Sequence, residues 1–143
     1  MMRPIWILGA LALGACAGSD GADCGGSAPV GGTWEYHAAQ TNPAPGSTLV
    51  GTMDISEVNG CDFSGSLDVD ETPNAGGPVE PHSGPLFGLA VSLTSISFDV
   101  QFEPGVGRTH AAEVVGDSLA GEWVEGSGVD APRGTFWARR TAP

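Results

Sequence analysis

Three observations predict an all-β fold for this chain, an eight-stranded antiparallel up-and-down β-barrel. Apolar and polar residues alternate with a period of two from residue 32 onward, the period of half-buried strands. Glycine-bearing tight turns separate the alternating runs, and no segment of the mature domain carries a helical period. Counting the runs predicts strands at about 32–38, 47–58, 61–70, 84–93, 95–103, 107–115, 118–125 and 134–140. Eight strands are about the number that closes into a small barrel, and closure removes the exposed edges of so long a sheet. A two-sheet β-sandwich is the alternative arrangement of the same strands.

Residues 1–15 stand apart from this domain. One positive charge, Arg3, precedes the apolar run from Ile5 to Leu13, and small residues follow. This is the order of a secretory signal peptide, and the run is too short to span a hydrocarbon core. The stretch Leu13-Gly14-Ala15-Cys16 resembles the lipobox of bacterial lipoproteins. The resemblance implies that Cys16 is acylated and becomes the first residue of the mature chain, which is then anchored to a membrane. Ala17, in place of Asp after the cysteine, implies an outer-membrane destination by similarity to Gram-negative lipoproteins. Residues 16–31 are small, polar and glycine-rich, as expected of a flexible tether; residues 32–143 form the barrel domain. With Cys16 acylated, Cys24 and Cys61 remain as an even pair in an oxidising compartment, which predicts a disulfide between them that pins the far half of the tether to the domain.

The strands follow in order. Thr33 to Ala38 opens the domain, with Trp34 and Tyr36 on one face. Leu49, Met53 and Ile55 share a face of the second strand; Phe63, Leu67 and Val69 share a face of the third. Asn59-Gly60 between them reads as a type I′ turn. Residues 71–83 carry three prolines and read as one long connection, extended and solvated. In the fourth strand Phe87, Leu89, Val91 and Leu93 share the apolar face, and Thr94-Ser95 turns the chain into Ile96, Phe98, Val100 and Phe102. Ala112 and Val114 are apolar in the sixth strand, which turns His110 inward by the same parity. Its closeness to Gly105-Val106-Gly107 predicts a place near the barrel rim, where water is its partner; a deeper position would require Tyr36 or a ligand. Leu119 and Trp123 face inward on the seventh strand, and Phe136 on the eighth.

Composition narrows the function. The chain holds 17 Asp and Glu against 5 Lys and Arg, a formal net charge of −12. Lysine is absent, and the cations beyond Arg3 are Arg108, Arg133, Arg139 and Arg140. Such a surface repels phosphate backbones, so no nucleic-acid partner is expected. His37, His82 and His110 form no metal-ligand spacing, and Asp68 to Asn74 begins like a calcium loop but has Pro73 where a ligand belongs. Neither a metal nor another cofactor is expected.

Two further resemblances concern function. Gly116-Asp117-Ser118-Leu119 matches the four residues that name the GDSL hydrolases, which would make Ser118 a nucleophile. Alternation runs straight through Ser118, however, and no histidine follows it, so these residues read as a hairpin turn. Gly32-Thr33-Trp34 at the start of the domain, with Arg139-Arg140 near its end, resembles the calycins, the superfamily of lipocalins, fatty-acid-binding proteins and avidins. The resemblance implies a barrel closed at one end by Trp34 packed against an arginine of the last strand, read here as Arg139. On this reading the protein is a non-enzymatic, lipid-anchored envelope module that binds a small apolar ligand or serves as a structural interaction protein. Trp34, Tyr36, Phe63, Phe98, His110 and Trp123 would line the ligand, with Phe87, Phe102 and Phe136 on the same inner face. The competing expectation is that these aromatics fill the barrel completely.

Overall fold

A computed structural model describes residues 23–44, 46–103 and 105–143. Cys16, the residue of the lipobox reading, and the signal peptide lie outside the described residues. Eight strands, β1 (Gly32–Asn42), β2 (Thr48–Asn59), β3 (Asp62–Thr72), β4 (Glu80–Ala90), β5 (Ser95–Phe102), β6 (Val106–Val115), β7 (Ser118–Glu125) and β8 (Arg133–Ala142), form one closed barrel in sequence order. Every pair is antiparallel, and β8 returns to pair with β1. No helix occurs among the described residues.

The glycine content has a second cause besides turns. At Gly51, Gly65, Gly84, Gly121 and Gly134, all within strands, a Cβ would collide with a carbonyl oxygen of a neighbouring strand. These are the corners at which the sheet coils tightly enough to close. The hairpin turns also differ in detail from the expected type I′. Asn59 pairs with Asp62, which leaves Gly60-Cys61 as the loop, and only Gly60 has a positive φ, 61°. Glycine at the first loop position is the chemistry of a type II′ turn. Gly116-Asp117 repeats it, with Gly116 at 57° between the paired residues Val115 and Ser118.

Two sequence expectations are corrected. The long connection shrinks to residues 73–79, because Glu80, Pro81 and His82 pair with Glu71, Asp70 and Val69. Asp68 and Asp70 are therefore strand residues of β3 and not part of a loop. Prolines are tolerated in β4 because the β4–β5 ladder runs only from Leu86 to Ala90, so neither Pro81 nor Pro85 has to donate an amide to β5.

The second correction inverts β4. Leu86 and Ala90 are buried, whereas Phe87 is 63% and Leu93 64% exposed, with Leu89 and Val91 also outside. The cause lies at Gly88, where a Cβ would strike the Phe63 ring and crowd Phe98. The large inward rings of β3 and β5 occupy the space in front of Gly88, so the inward position between Leu86 and Ala90 must be glycine.

Residues 24–31 are held on the domain, as the predicted bridge requires of the far half of the tether. Cys24, Ala28 and Val30 are buried, and the Ala28 amide donates to the Gly60 carbonyl at 2.8 Å. The predicted disulfide joins Cys24 to Cys61. This segment crosses the barrel end that carries the β2–β3, β4–β5 and β6–β7 turns and caps it. The opposite end, ringed by the other loops, is the mouth.

Candidate functional site

The capped end is held by Trp34. Its indole N–H donates to the Val30 carbonyl at 2.8 Å, and the Arg140 guanidinium carbon lies 4.6 Å from its ring centroid. Arg140 also donates to the carbonyls of Gly31 (2.7 Å) and Pro29 (2.9 Å) and pairs with Asp117 at 3.0 Å. The expected arrangement of a Trp and a last-strand arginine is present, but the arginine is Arg140 and not Arg139. Directly opposed residues of an antiparallel pair share a face, and Trp34 opposes Arg140 while Arg139 opposes the outward Glu35. Arg139 is exposed.

Deeper in the barrel the rings meet. Phe98 stacks on His110 at 4.4 Å with 8° between planes, and Phe136 stands edge-on to both, at 5.8 Å and 5.0 Å. Tyr36 stacks on Phe136 at 5.6 Å, and Phe63 meets Phe98 at 6.3 Å. The Tyr36 hydroxyl is 2.9 Å from Nε2 of His110.

The structure buries all six expected lining residues and joins Tyr36, Phe63, Phe98 and His110 in one ring cluster with Phe136, yet they line nothing. A void large enough for water would leave accessible surface on its walls. Trp34, Trp123 and His110 are 0% exposed, Tyr36 and Phe98 1%, and Phe63 4%. These residues are a filled core. His110 is correspondingly not a rim residue. Val106 opens β6 at the mouth, Arg108 is the first inward side chain, and His110 lies a further two residues in, about 7 Å along the strand. Its partner is Tyr36, since no water reaches it.

Burial governs the chemistry here. Desolvation lowers the His110 pKa to about 3; hydrogen bonding to the Arg108 backbone offsets part of this, and the nearby Arg108 charge adds to it. The same desolvation raises Tyr36, against a smaller opposing effect of Arg108. At neutral pH the pair is an uncharged hydroxyl–imidazole contact sealed from solvent. It has no access to a substrate.

At the mouth, sequence reasoning missed the central residue. Arg108 is buried, with its guanidinium carbon 4.4 Å from the Trp123 ring centroid and 5.4 Å from that of Phe102. Its Nη2 reaches Glu125 at 3.4 Å, while Nε and Nη1 are buried without hydrogen-bond partners. The signal was available, because the parity that turns His110 inward turns Arg108 inward too. Beside it the Ser47 hydroxyl donates to Glu71 at 2.6 Å, and His82 pairs with Glu71 at 2.8 Å. Glu71, His82, Phe102, Arg108 and Glu125 border an open cavity of about 200 Å³, smaller than the roughly 300–1,000 Å³ of typical ligand pockets. With Glu71, Glu103 and Glu125 in its lining against Arg108 and His82, it does not favour anions.

Ser118 is exposed at the start of β7, opposite Val115 and Arg139. Its hairpin setting is that of a turn residue, and neither strand partner is a base.

No protein-family model and no curated protein matches the sequence. Among solved structures, the chain is similar to designed barrels. One is a de novo designed fluorescence-activating β-barrel, with 18% identity, a TM-score of 0.59 and coverage of 78% of this chain and 94% of that one. Another is a redesigned β-barrel bound to DFHBI, with 11% identity, a TM-score of 0.61 and coverage of 78% and 95%. At these identities the likeness concerns the fold, a small closed barrel.

Proposed function

We propose that this protein is a non-enzymatic, lipid-anchored module of the cell envelope whose barrel is a solid scaffold that binds through its ends and outer surface. The observation that carries this reading is the sealed interior. A carrier of an apolar ligand needs a hollow barrel; here the six aromatic and histidine side chains that would line the hollow are at most 4% exposed, so no hollow is left between them. The similar redesigned barrel is bound to DFHBI. In this chain a small apolar ligand has only the mouth or the outer depressions to occupy. A disulfide suits an exported protein, and the lipobox at Cys16 supplies the anchor.

Fractionation and intact-mass measurement of the full chain test the reading. Wild type is expected in the membrane fraction with an acylated N-terminal cysteine, and Cys16→Ser in the soluble fraction without acyl mass. A Cys16→Ser protein that still labels with palmitate and stays membrane-bound would overturn it. Titration with an environment-sensitive apolar dye is expected to show no saturable interior site.

A further inference from the structure

Four large apolar side chains stand on the outer side of β4 and in the β4–β5 hairpin: Phe87, Leu89, Val91 and Leu93, from 38% to 64% exposed. Val115, 73% exposed, adds to the same end of the barrel beside the β6–β7 turn. Soluble surfaces rarely gather large apolar groups in this way without a use for them. Their place relative to the chain's N-terminal side says what covers them. Cys24 is fastened to Cys61, whose carbonyl accepts from the Ala90 amide at 2.8 Å, and a Cβ at Gly25 would press on the Leu93 side chain at 2.8 Å. The chain therefore leaves the described residues at Asp23 right beside the hairpin tip.

Cys16 lies eight residues before Cys24. Eight residues span at most about 29 Å fully extended and average about 16 Å as a flexible chain. An acylated Cys16 at the hydrocarbon boundary thus holds the capped end within reach of the headgroups, and the mouth faces away. We propose that the β4–β5 hairpin is a second membrane contact: Val91 and Leu93 insert at the interface, with Leu89 and Phe87 at headgroup depth. This inference rests on the anchoring proposed above.

The surrounding side chains fit a shallow interfacial contact. Phe87 is flanked by Ser64 and Asp99, and Leu89 by Asp62 and Ser97. The two serines are neutral and small, while the two carboxylates stop deeper burial. No lysine or arginine flanks the stripe, and the net charge of −12 disfavours anionic lipid. The surface recognised is zwitterionic, and the contact is made by apolar side chains.

The test uses the full lipidated chain in phosphatidylcholine vesicles, labelled with the environment-sensitive fluorophore NBD at Leu93→Cys or, at the opposite end, Val129→Cys. Cys16 is acylated and the other two cysteines are bridged, so the introduced thiol is the one that reacts. The expected result is blue-shifted emission at 93, quenched by nitroxide-bearing acyl chains, with emission at 129 at its aqueous position and unquenched. Val91→Cys serves as a second site should the label at 93 disturb the fold. Vesicle-bound protein with the hairpin label in water would overturn the inference and leave the anchor standing. A blue shift without nitroxide quenching would mean a protein partner, such as a second copy, covers the stripe, and quenching at both ends would mean no defined orientation; each overturns it. Protein that lacks acyl mass and fails to sediment with vesicles would remove the anchor and the inference together.

Discussion

The sealed Tyr36–His110 pair makes stability depend on pH in a calculable way. An unfolded histidine takes up a proton near pH 6.5, whereas folded His110 does so only at about 3. The groups that face it are the Tyr36 hydroxyl, the Phe98 and Phe136 rings and the Arg108 cation; the rings and the guanidinium offer an imidazolium no acceptor, and the hydrogen bond to the Arg108 backbone offsets only part of the cost of burial. Between these two values the unfolded chain binds more protons than the native one, so stability is complete above about pH 6.5 and falls as pH drops toward 3. Integrating from pH 8 to pH 5 gives a loss of about 2 kcal/mol from this residue. Urea unfolding followed by tryptophan fluorescence measures it. The reference is the double variant Tyr36→Phe/His110→Phe, which keeps the ring packing and removes both polar partners at once. Removing both is nearly neutral, while His110→Phe alone strands a buried hydroxyl at a cost of about 1–3 kcal/mol. The carboxylates are common to wild type and reference, so their pH dependence cancels in the comparison. Wild type should lose about 2 kcal/mol more than the double variant between pH 8 and 5. Parallel stability curves would refute the burial argument.

The two adjacent arginines of β8 should behave differently. Arg140→Ala removes the stacking on Trp34 and the hydrogen bonds to Pro29 and Gly31, and should cost about 2 kcal/mol; Arg139→Ala should stay within about 0.5 kcal/mol. Equal effects in denaturant unfolding would contradict the assigned faces. Reducing the Cys24–Cys61 bridge opens a loop of 37 residues and should lower stability by roughly 4 kcal/mol, measured by unfolding with and without reductant. Gly88→Ala forces a methyl group into the Phe63 and Phe98 rings and should cost about 1–3 kcal/mol, whereas Ser118→Ala, at an exposed turn, should change stability by under about 0.5 kcal/mol.

The sequence by itself determined the all-β class, the eight strands and most of their faces; it favoured a closed barrel over a sandwich, and the pairing of β8 with β1 decided between them. Alternation is a local property, and hairpins between strands consecutive in sequence translate it directly into a sheet. Cysteine parity likewise determined the disulfide, because it needs only a count and a compartment. Parity also carried more than was taken from it. The run Gly134, Phe136, Ala138, Arg140 lies on one face, which makes Arg140 and not Arg139 the closing arginine, and Arg108 shares the face of His110. What only the tertiary structure decided depends on neighbours distant in sequence. Phe87 and Leu93 are as apolar as any core residue, but Phe63 from β3 and Phe98 from β5 already fill the volume in front of β4, so its inward positions hold glycine, leucine and alanine instead. Whether the barrel is hollow is a question of the same kind. It turns on the summed volume of rings brought in by separate strands, and close packing of those rings leaves no room for a ligand. A strand's pattern states which face is apolar; the space left by the other strands decides which face is inside.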